Sequence, residues 1–158
     1  MVKTKIITVG KIKEKGTREL IEEYEKRLSK YTDFSVLQLQ DLSTSQNPNQ
    51  KEIENVLSKE GENIIKNLPK GMTLVAMTID GKCYTSEEFA EFIEDNKTKG
   101  GICFIIGSSH GIKKEVIDMC HTKISLSKMT FPHNLARLIL TEQIYRGFKI
   151  LNNENYHK

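Results

Sequence analysis

The chain has 158 residues, of which 37% are hydrophobic and 28% charged, and its formal net charge is +3. This length fits one domain spanning residues 1–158, and this composition excludes an intrinsically disordered chain. The longest apolar runs, such as residues 102–106, are too short to cross a bilayer, and the first residues lack a signal peptide's apolar core, so we expect a cytoplasmic protein.

Strand-like and helix-like patterns alternate along the whole chain. Runs of β-branched or alternating apolar residues predict strands, and apolar residues at every third or fourth position predict helices. In chain order the predicted elements are strand 5–9, helix 17–31, strand 34–40, helix 51–68, strand 72–79, helix 86–97, strand 102–107, helix 113–120, strand 122–127 and helix 132–151. This order predicts an α/β fold, in which a mostly parallel sheet is flanked by helices.

Local signals within these elements predict helix ends and buried faces. Thr17 and Ser86 are the candidate N-caps of the first and third helices. The second helix contains Gly61, which weakens it. Its predicted inward residues are Ile53, Val56, Leu57, Ile64 and Ile65.

Three widely spaced cysteines, Cys83, Cys103 and Cys120, form no C-x-x-C pair. Their odd number argues against a disulfide framework, and no histidine stands at metal-ligand spacing from them. We therefore expect reduced cysteines, with Cys103 in a buried strand, and no metal.

Parallel α/β sheets bind ligands beyond the C-terminal ends of their strands, and three predicted loops lie there in the second half of the chain. They are residues 79–82 (IDGK), 105–111 (IIGSSHG) and 125–133 (SLSKMTFPH). The first has the composition of an Asp-Gly turn and follows Met77, which can pack against a ligand ring or the core. The second contains Gly107 and Gly111 but lacks the spacing of dinucleotide and triphosphate loops, so a cofactor loop and a structural turn both remain open.

The third loop carries more chemistry than a connector requires. Its hydroxyl groups and apolar side chains suit a polar ligand with a flat ring, and Pro132 can open a helix whose first N–H groups bind a carboxylate. The residues concerned are Leu126, Ser127, Met129, Thr130 and Phe131. His133 is a candidate acid–base group that the helix dipole would keep neutral, and a surface or capping role is the alternative.

The helix at 132–151 is apolar on two sides, whereas a helix that covers one sheet face needs only one apolar stripe. One stripe contains Ala136, Leu140, Ile144, Phe148 and Leu151, and the other contains Leu135, Leu138, Ile139 and Tyr145. The second stripe favours a homodimer, and deeper burial within the same domain would explain it equally well.

Several of these segments together resemble one known family. The segments are VGKIKEK, EYEKRL, IIGSSHG, S-x-M-T-F-P-H, E-Q-x-Y-R and a terminal Y-H-K, and they extend over essentially the whole chain. Their combination resembles the ribosomal RNA large-subunit methyltransferase H family of the SPOUT superfamily. The resemblance implies S-adenosylmethionine-dependent methylation of N3 of a pseudouridine in 23S rRNA, with the ribosome as the partner.

The same resemblance implies a C-terminal trefoil knot that holds the cofactor, and a homodimer with active sites at the subunit interface. The implied cofactor contacts are Met77, Gly107, Leu126, Ser127, Lys128, Met129, Thr130 and Phe131. Ser108 departs from the family, which usually has a second glycine there. Serine would weaken cofactor binding if that position needs a positive φ, and would be harmless otherwise.

Loss of the imide proton from the pseudouridine requires an acceptor. His133, and His157 with Tyr156 in the terminal NNENYHK, are the candidates, and Arg146 is a candidate ligand for phosphate or a uracil carbonyl. That tail alone has the composition of a disordered terminus. The basic residues after the first strand are candidate rRNA contacts: Lys11, Lys13, Lys15 and Arg18.

Two other functions remain open. A non-catalytic RNA- or ribosome-binding protein of the same fold could have lost cofactor affinity through Ser108. A flavodoxin-like or nucleotide-binding protein would share the α/β pattern, and the missing phosphate-loop spacings argue against it.

Overall fold

The computed structural model describes residues 1–158, and five strands alternate with five helices as the sequence predicts. The elements are β1 (Lys3–Val9), α1 (Lys15–Leu28), β2 (Asp33–Leu39), α2 (Gln50–Asn67), β3 (Thr73–Cys83), α3 (Ser86–Lys97), β4 (Ile102–Ile106), α4 (Lys114–Met119), β5 (Thr122–Ser125) and α5 (His133–Leu151). None of the helices combines the length and the hydropathy that a membrane-spanning helix needs.

All five strands lie in one parallel sheet with the order β2-β1-β4-β3-β5. This confirms the predicted α/β class. The strand order makes β4, β3 and β5 neighbours, so the loops that leave their C-terminal ends lie side by side at one edge of the sheet. Three loops that are far apart in the chain are thereby brought together.

The two faces of the sheet carry separate apolar cores. Helices α1, α3 and α5 cover one face, with Leu28, Phe89 and Ile144 packed against β-strand residues such as Phe104. Helices α2 and α4 cover the other face, where Ile64 and Val116 pack against Ile7, Cys103 and Ile105. Cys103 is therefore buried as predicted, and burial raises the pKa of its thiol to about 12.

Two predicted helix caps are wrong. Helix α1 begins two residues before Thr17, because the Arg18 N–H donates to the Glu14 carbonyl at 3.0 Å. In α3 the cap is Thr85 rather than Ser86: the Thr85 hydroxyl accepts from the Glu88 N–H at 3.1 Å. The Glu88 carboxylate accepts from the Thr85 N–H at 2.8 Å, which completes a capping box.

Two further predictions need correction in the packing of α2 and the end of β3. Ile65 is 36% exposed, because α2 turns Ile64 rather than its neighbour into the core. Residues 79–82 do not form a terminal turn, since β3 continues to Cys83 and pairs with β5 again after a register shift between Met77 and Lys82. A Cβ at Gly81 would overlap the backbone of Ile124, so glycine permits this close crossing.

Candidate functional site

A cavity of about 810 Å³ lies at the C-terminal edge of β3, β4 and β5. All three segments predicted to lie at this edge contribute to its wall, residues 79–82 as part of β3 rather than as a loop. The predicted cofactor contacts among its lining residues are Met77, Gly107, Leu126, Ser127, Met129, Thr130 and Phe131. Lys128 is the exception: its side chain is exposed and it does not line the cavity. The cavity size falls within the ~300–1,000 Å³ range of small-molecule sites.

The loop after β4 is closed by its own backbone. The Gly111 N–H donates to the Ser108 carbonyl at 2.9 Å, and a Cβ on Gly107 would overlap the carbonyl oxygen of Gly111. Gly107 is therefore required for close approach, and Gly111, with φ of +93°, for its conformation. Asn153 is the only non-glycine residue with positive φ, so Ser108 carries no such strain. Position 108 therefore does not need a positive φ, which is the case in which the sequence predicts that Ser108 is harmless.

The loop between β5 and α5 is held by two serines. The Ser125 hydroxyl donates to the Ser127 carbonyl at 2.7 Å, and the Ser127 hydroxyl accepts from the Met129 N–H at 3.0 Å. These bonds fold residues 125–129 into a tight turn. The turn keeps Leu126 partly buried while Lys128 projects to solvent, which explains why Lys128 is not part of the cavity wall.

Two buried polar groups on the cavity wall have no hydrogen-bond partner. They are the Thr78 hydroxyl, near which the Asp80 carboxylate lies without a well-formed hydrogen bond, and the imidazole of His133, whose two ring nitrogens are both buried. Buried polar atoms are rarely left unpaired, so these groups are suited to a polar ligand in the cavity. Thr78 was not predicted from the sequence, because regular alternation would direct it away from the side that Met77 faces, and the register shift in β3 has no local sequence signal.

His133 is the first residue of α5, and it lies beside the end of β1. A Cβ on Gly10 would stand 3.5 Å from the His133 Nε2. Burial lowers the pKa of His133. The nearby backbone groups of Gly107 and Gly10 act in the opposite direction, although neither forms a well-shaped hydrogen bond with the ring. The neutral form expected from the sequence is therefore favoured, with burial rather than the helix dipole as the main cause.

The C-terminal tail is docked against α5, contrary to what its composition suggests. The Tyr156 ring packs edge-on against Tyr145 with centroids 4.9 Å apart, and its hydroxyl donates to the Glu142 carboxylate at 3.0 Å. The Arg146 guanidinium donates to the same carboxylate oxygen and lies over the Tyr156 ring. Burial raises the pKa of Tyr156, with further contributions from Tyr24 and Glu142, so its hydroxyl stays protonated.

His157 has its tautomer set by its two neighbours. Its Nδ1 lies 3.1 Å from the Arg146 guanidinium, which can only donate, so Nδ1 must be the acceptor. Its Nε2 then donates to the Glu87 carboxylate at 2.6 Å. This bond is the main cause of the lowered pKa of Glu87. In this arrangement the one basic nitrogen of His157 is engaged by Arg146.

The predicted rRNA contacts lie at the same edge of the sheet as the cavity, after β1. The side chains of Lys11, Lys13, Lys15 and Arg18 are exposed. Ile12 between them is buried and anchors the segment, and its carbonyl accepts from Arg18 at 3.4 Å. The structure contains no group of three or more side chains able to bind a metal.

The second apolar stripe of α5 divides into two parts. Tyr145 is buried within the chain, against Tyr24 and Tyr31. Leu135 is 40% exposed, and Leu138 and Ile139 are half-buried. Deeper burial in the same domain therefore explains Tyr145 but leaves a partly exposed apolar surface at the start of α5.

The fold and the cavity define a parallel α/β protein with a ligand-sized site at the strand ends, and comparison with known proteins gives the family. Residues 2–157 match the family described as "Predicted SPOUT methyltransferase". The chain is 49% identical over 155 residues to the ribosomal RNA large subunit methyltransferase H of Clostridium beijerinckii, covering 97% of this chain and 98% of that protein.

Two other relatives and one solved structure agree with this match. The identity is 46% over 155 residues to the putative ribosomal RNA large subunit methyltransferase H of Methanococcus vannielii, covering 97% of this chain and 98% of the relative. The identity is 44% over 159 residues to the ribosomal RNA large subunit methyltransferase H of Streptococcus uberis, covering 99% of this chain and 100% of that protein. A probable methylase family protein from Haemophilus influenzae has a similar fold, with a TM-score of 0.53 and 18% identity over 100% of this chain and 72% of that chain. The chain belongs to the SPOUT methyltransferase family.

Proposed function

We propose that residues 1–158 form a single methyltransferase domain that transfers a methyl group from S-adenosylmethionine to N3 of a pseudouridine in 23S rRNA. The observation that carries this proposal is the meeting of two loops and the end of β3 around one cavity, in a chain nearly half identical to a ribosomal RNA large subunit methyltransferase H. We propose a cytoplasmic location, since that is where ribosomes are available.

The cavity fits S-adenosylmethionine in size and in the chemistry of its lining residues. Leu126, Phe131 and Met77 offer apolar surface for the adenine ring, and the unpaired Thr78 hydroxyl and the N–H groups near the start of α5 offer donors. When bound, this cofactor supplies an already activated methyl group, so the chain needs no covalent nucleophile. Its residues have to bind, orient and exclude water.

The four predicted catalytic residues divide into two groups. His133 is neutral, lines the cavity and has no partner on its ring nitrogens, so we propose it as the acceptor of the imide proton. Arg146, Tyr156 and His157 are bonded to one another or to Glu142, so we propose that they act as one element facing the RNA. Arg146 is charged at all working pH values and suits a phosphate or a uracil carbonyl.

We also propose the C-terminal knot and the homodimer. Residues 126–132 lead from β5, at one edge of the sheet, back to His133 beside the end of β1, and so cross the ends of β3 and β4. Passage of this segment through the loop after β4 would form the knot. The partly exposed Leu135, Leu138 and Ile139 support a second copy on α5. Analytical ultracentrifugation tests the dimer, and a monomer at micromolar concentration would refute it.

Methyl transfer from labelled S-adenosylmethionine to ribosomes from cells that lack the endogenous activity tests the function. We expect label at one pseudouridine of 23S rRNA, located by mapping the modified base. Label at another base would refute the substrate, and no binding heat with S-adenosylmethionine would refute the enzyme in favour of a non-catalytic ribosome-binding protein. Lys128→Ala is the control for cofactor binding, because Lys128 shares the loop but not the cavity wall, and its Kd should be unchanged.

A further inference from the structure

A buried carboxylate lies behind the loop that follows β4, outside the cavity. Glu60 on α2 is only 3% exposed. One of its oxygens accepts a hydrogen bond from the Ser108 hydroxyl at 2.7 Å, and the other is buried near the Leu42 backbone without a well-formed hydrogen bond. Glutamate is almost never buried to this degree unless it is paired, because desolvation of the carboxylate is costly.

The chain brings Glu60 to this place by a close contact between two helices. A Cβ on the next residue, Gly61, would stand 2.7 Å from the Lys113 side chain at the start of α4. Glycine therefore lets α2 approach the segment that joins the loop to α4 and places Glu60 against Ser108. An apolar residue at position 60 would pack there without the cost of desolvation, so packing alone does not account for the carboxylate.

Ser108 transmits this contact to the cavity. Its side chain faces Glu60, and its carbonyl accepts from the Gly111 N–H at 2.9 Å. Its hydroxyl oxygen is also 3.4 Å from the His110 N–H, which donates to it. Ser108, itself part of the cavity wall, thus connects α2 to two further wall residues, His110 and Gly111.

We propose that Glu60 is a positioning residue, which holds residues 107–111 through Ser108 in the conformation that binds the methyl donor. The identity of that ligand rests on the function proposed above. Glu60 touches neither the cavity nor any reacting atom, and it acts only through the loop. The hydrogen bond between Glu60 on α2 and Ser108 in the loop restricts the conformations that the loop can adopt. The charged or titratable groups that act on Glu60 are Asp41 and His110, and Lys113 lies beside the neighbouring Gly61.

Two measurements on the same variants test this role. The variants are Ser108→Ala, Glu60→Ala, the double variant, and Glu60→Gln, which keeps an oxygen acceptor for the serine. The first measurement is the Kd for S-adenosylmethionine by titration calorimetry. The second is hydrogen exchange at the His110 and Gly111 amides without ligand, which is independent of the cofactor's identity.

We expect Ser108→Ala and Glu60→Ala each to raise the Kd about tenfold and to speed exchange at both amides, as the loss of a hydrogen bond to a charged group does. The Kd of the double variant should not exceed the higher Kd of the two single variants, because both substitutions remove the same bond. Glu60→Gln should bind within about threefold of the unchanged protein, since its amide oxygen restores the acceptor.

Thr73→Val is the matched control. Thr73 is buried and donates to the Asn96 side chain at 3.1 Å, at the opposite end of β3 from the cavity. We expect Thr73→Val to be less stable than the unchanged protein, with the same Kd and the same hydrogen exchange in the loop. If Glu60→Ala does not fold, the result for Ser108→Ala is sufficient to test the positioning role.

The proposal is overturned if Ser108→Ala leaves the Kd and the loop exchange unchanged, or if the effects of the two single variants add. Failure of the unchanged protein to bind S-adenosylmethionine would refute the proposed function instead. In that case the hydrogen exchange still decides, and unaltered exchange in Ser108→Ala would refute the positioning role.

Discussion

Gly107→Ala is the most direct test of the cavity geometry. The added Cβ would overlap the carbonyl oxygen and carbon of Gly111 and approach the Ile112 side chain to 2.7 Å. Two of these neighbours are backbone atoms, so a rotamer change cannot relieve the overlap and residues 107–111 must move. Overpacking of this kind costs about 1–3 kcal/mol.

The same displacement should weaken cofactor binding, because the loop forms one wall of the cavity. If the full cost falls on the bound conformation, the Kd for S-adenosylmethionine rises by about 5- to 150-fold, since ~1.4 kcal/mol corresponds to a factor of ten. Titration calorimetry gives the Kd, and urea unfolding gives the cost to the free protein. Together they show how the free-energy cost of the added methyl group divides between folding of the free protein and binding of the cofactor.

Gly16→Ala provides the control for this prediction. A Cβ on Gly16 meets no atom within 4 Å, and Gly16 lies in the first turn of α1. Alanine there should leave the Kd unchanged and stabilise the protein by up to about 1 kcal/mol through helix propensity. The close approach at Gly107 is wrong if Gly107→Ala unfolds at the same urea concentration as the unchanged protein and binds with the same Kd.

Three further predictions concern polar groups that form specific hydrogen bonds or are buried. Burial raises the pKa of Glu60 above its ordinary value of 4.5. Ionisation of this carboxyl therefore destabilises the folded protein as the pH rises from 4.5 through the raised pKa. Glu60→Gln should gain stability relative to the unchanged protein from about pH 4 to about pH 8, and a difference that does not vary with pH would contradict this. Arg137→Met should cost about 3 kcal/mol in urea unfolding, because Arg137 is 7% exposed and bonds to Glu25 and Gln38; a loss below about 1 kcal/mol would refute the pairing. Thr85→Ala should cost about 1 kcal/mol by removing the cap of α3, whereas Ser86→Ala should cost less.

The order of the elements could be predicted because each has its own hydrophobic period, which is a local property of the chain. The strand order could not, since the position of β4 between β1 and β3 is decided by contacts between distant residues. The register shift in β3 was missed for the same reason: Asp80 and Gly81 have turn composition, and only the crossing over Ile124 keeps them within a strand.

The cavity was largely predictable because parallel strands end at one edge, whatever their order. What the local pattern could not show was the direction of individual side chains. Lys128 lies between two cavity residues in sequence, yet the turn made by Ser125 and Ser127 directs it to solvent. Glu60 gave no signal at all, because its partner Ser108 is 48 residues away in the chain.

The C-terminal tail shows how such long-range contacts bear on function. Its polar composition predicts disorder, but Tyr156 docks because α5 presents Tyr145 and Glu142 to it. The docked tail also contacts Arg146, whose guanidinium forms hydrogen bonds with both Glu142 and His157. An RNA phosphate that binds Arg146 would compete with these partners, and release of His157 would free its Nδ1 lone pair. In the proposed function, RNA binding at Arg146 and release of the His157 Nδ1 are therefore coupled through one guanidinium. Arg146→Lys cannot bond to both partners in the same plane, so it should weaken RNA binding and leave Nδ1 without its donor.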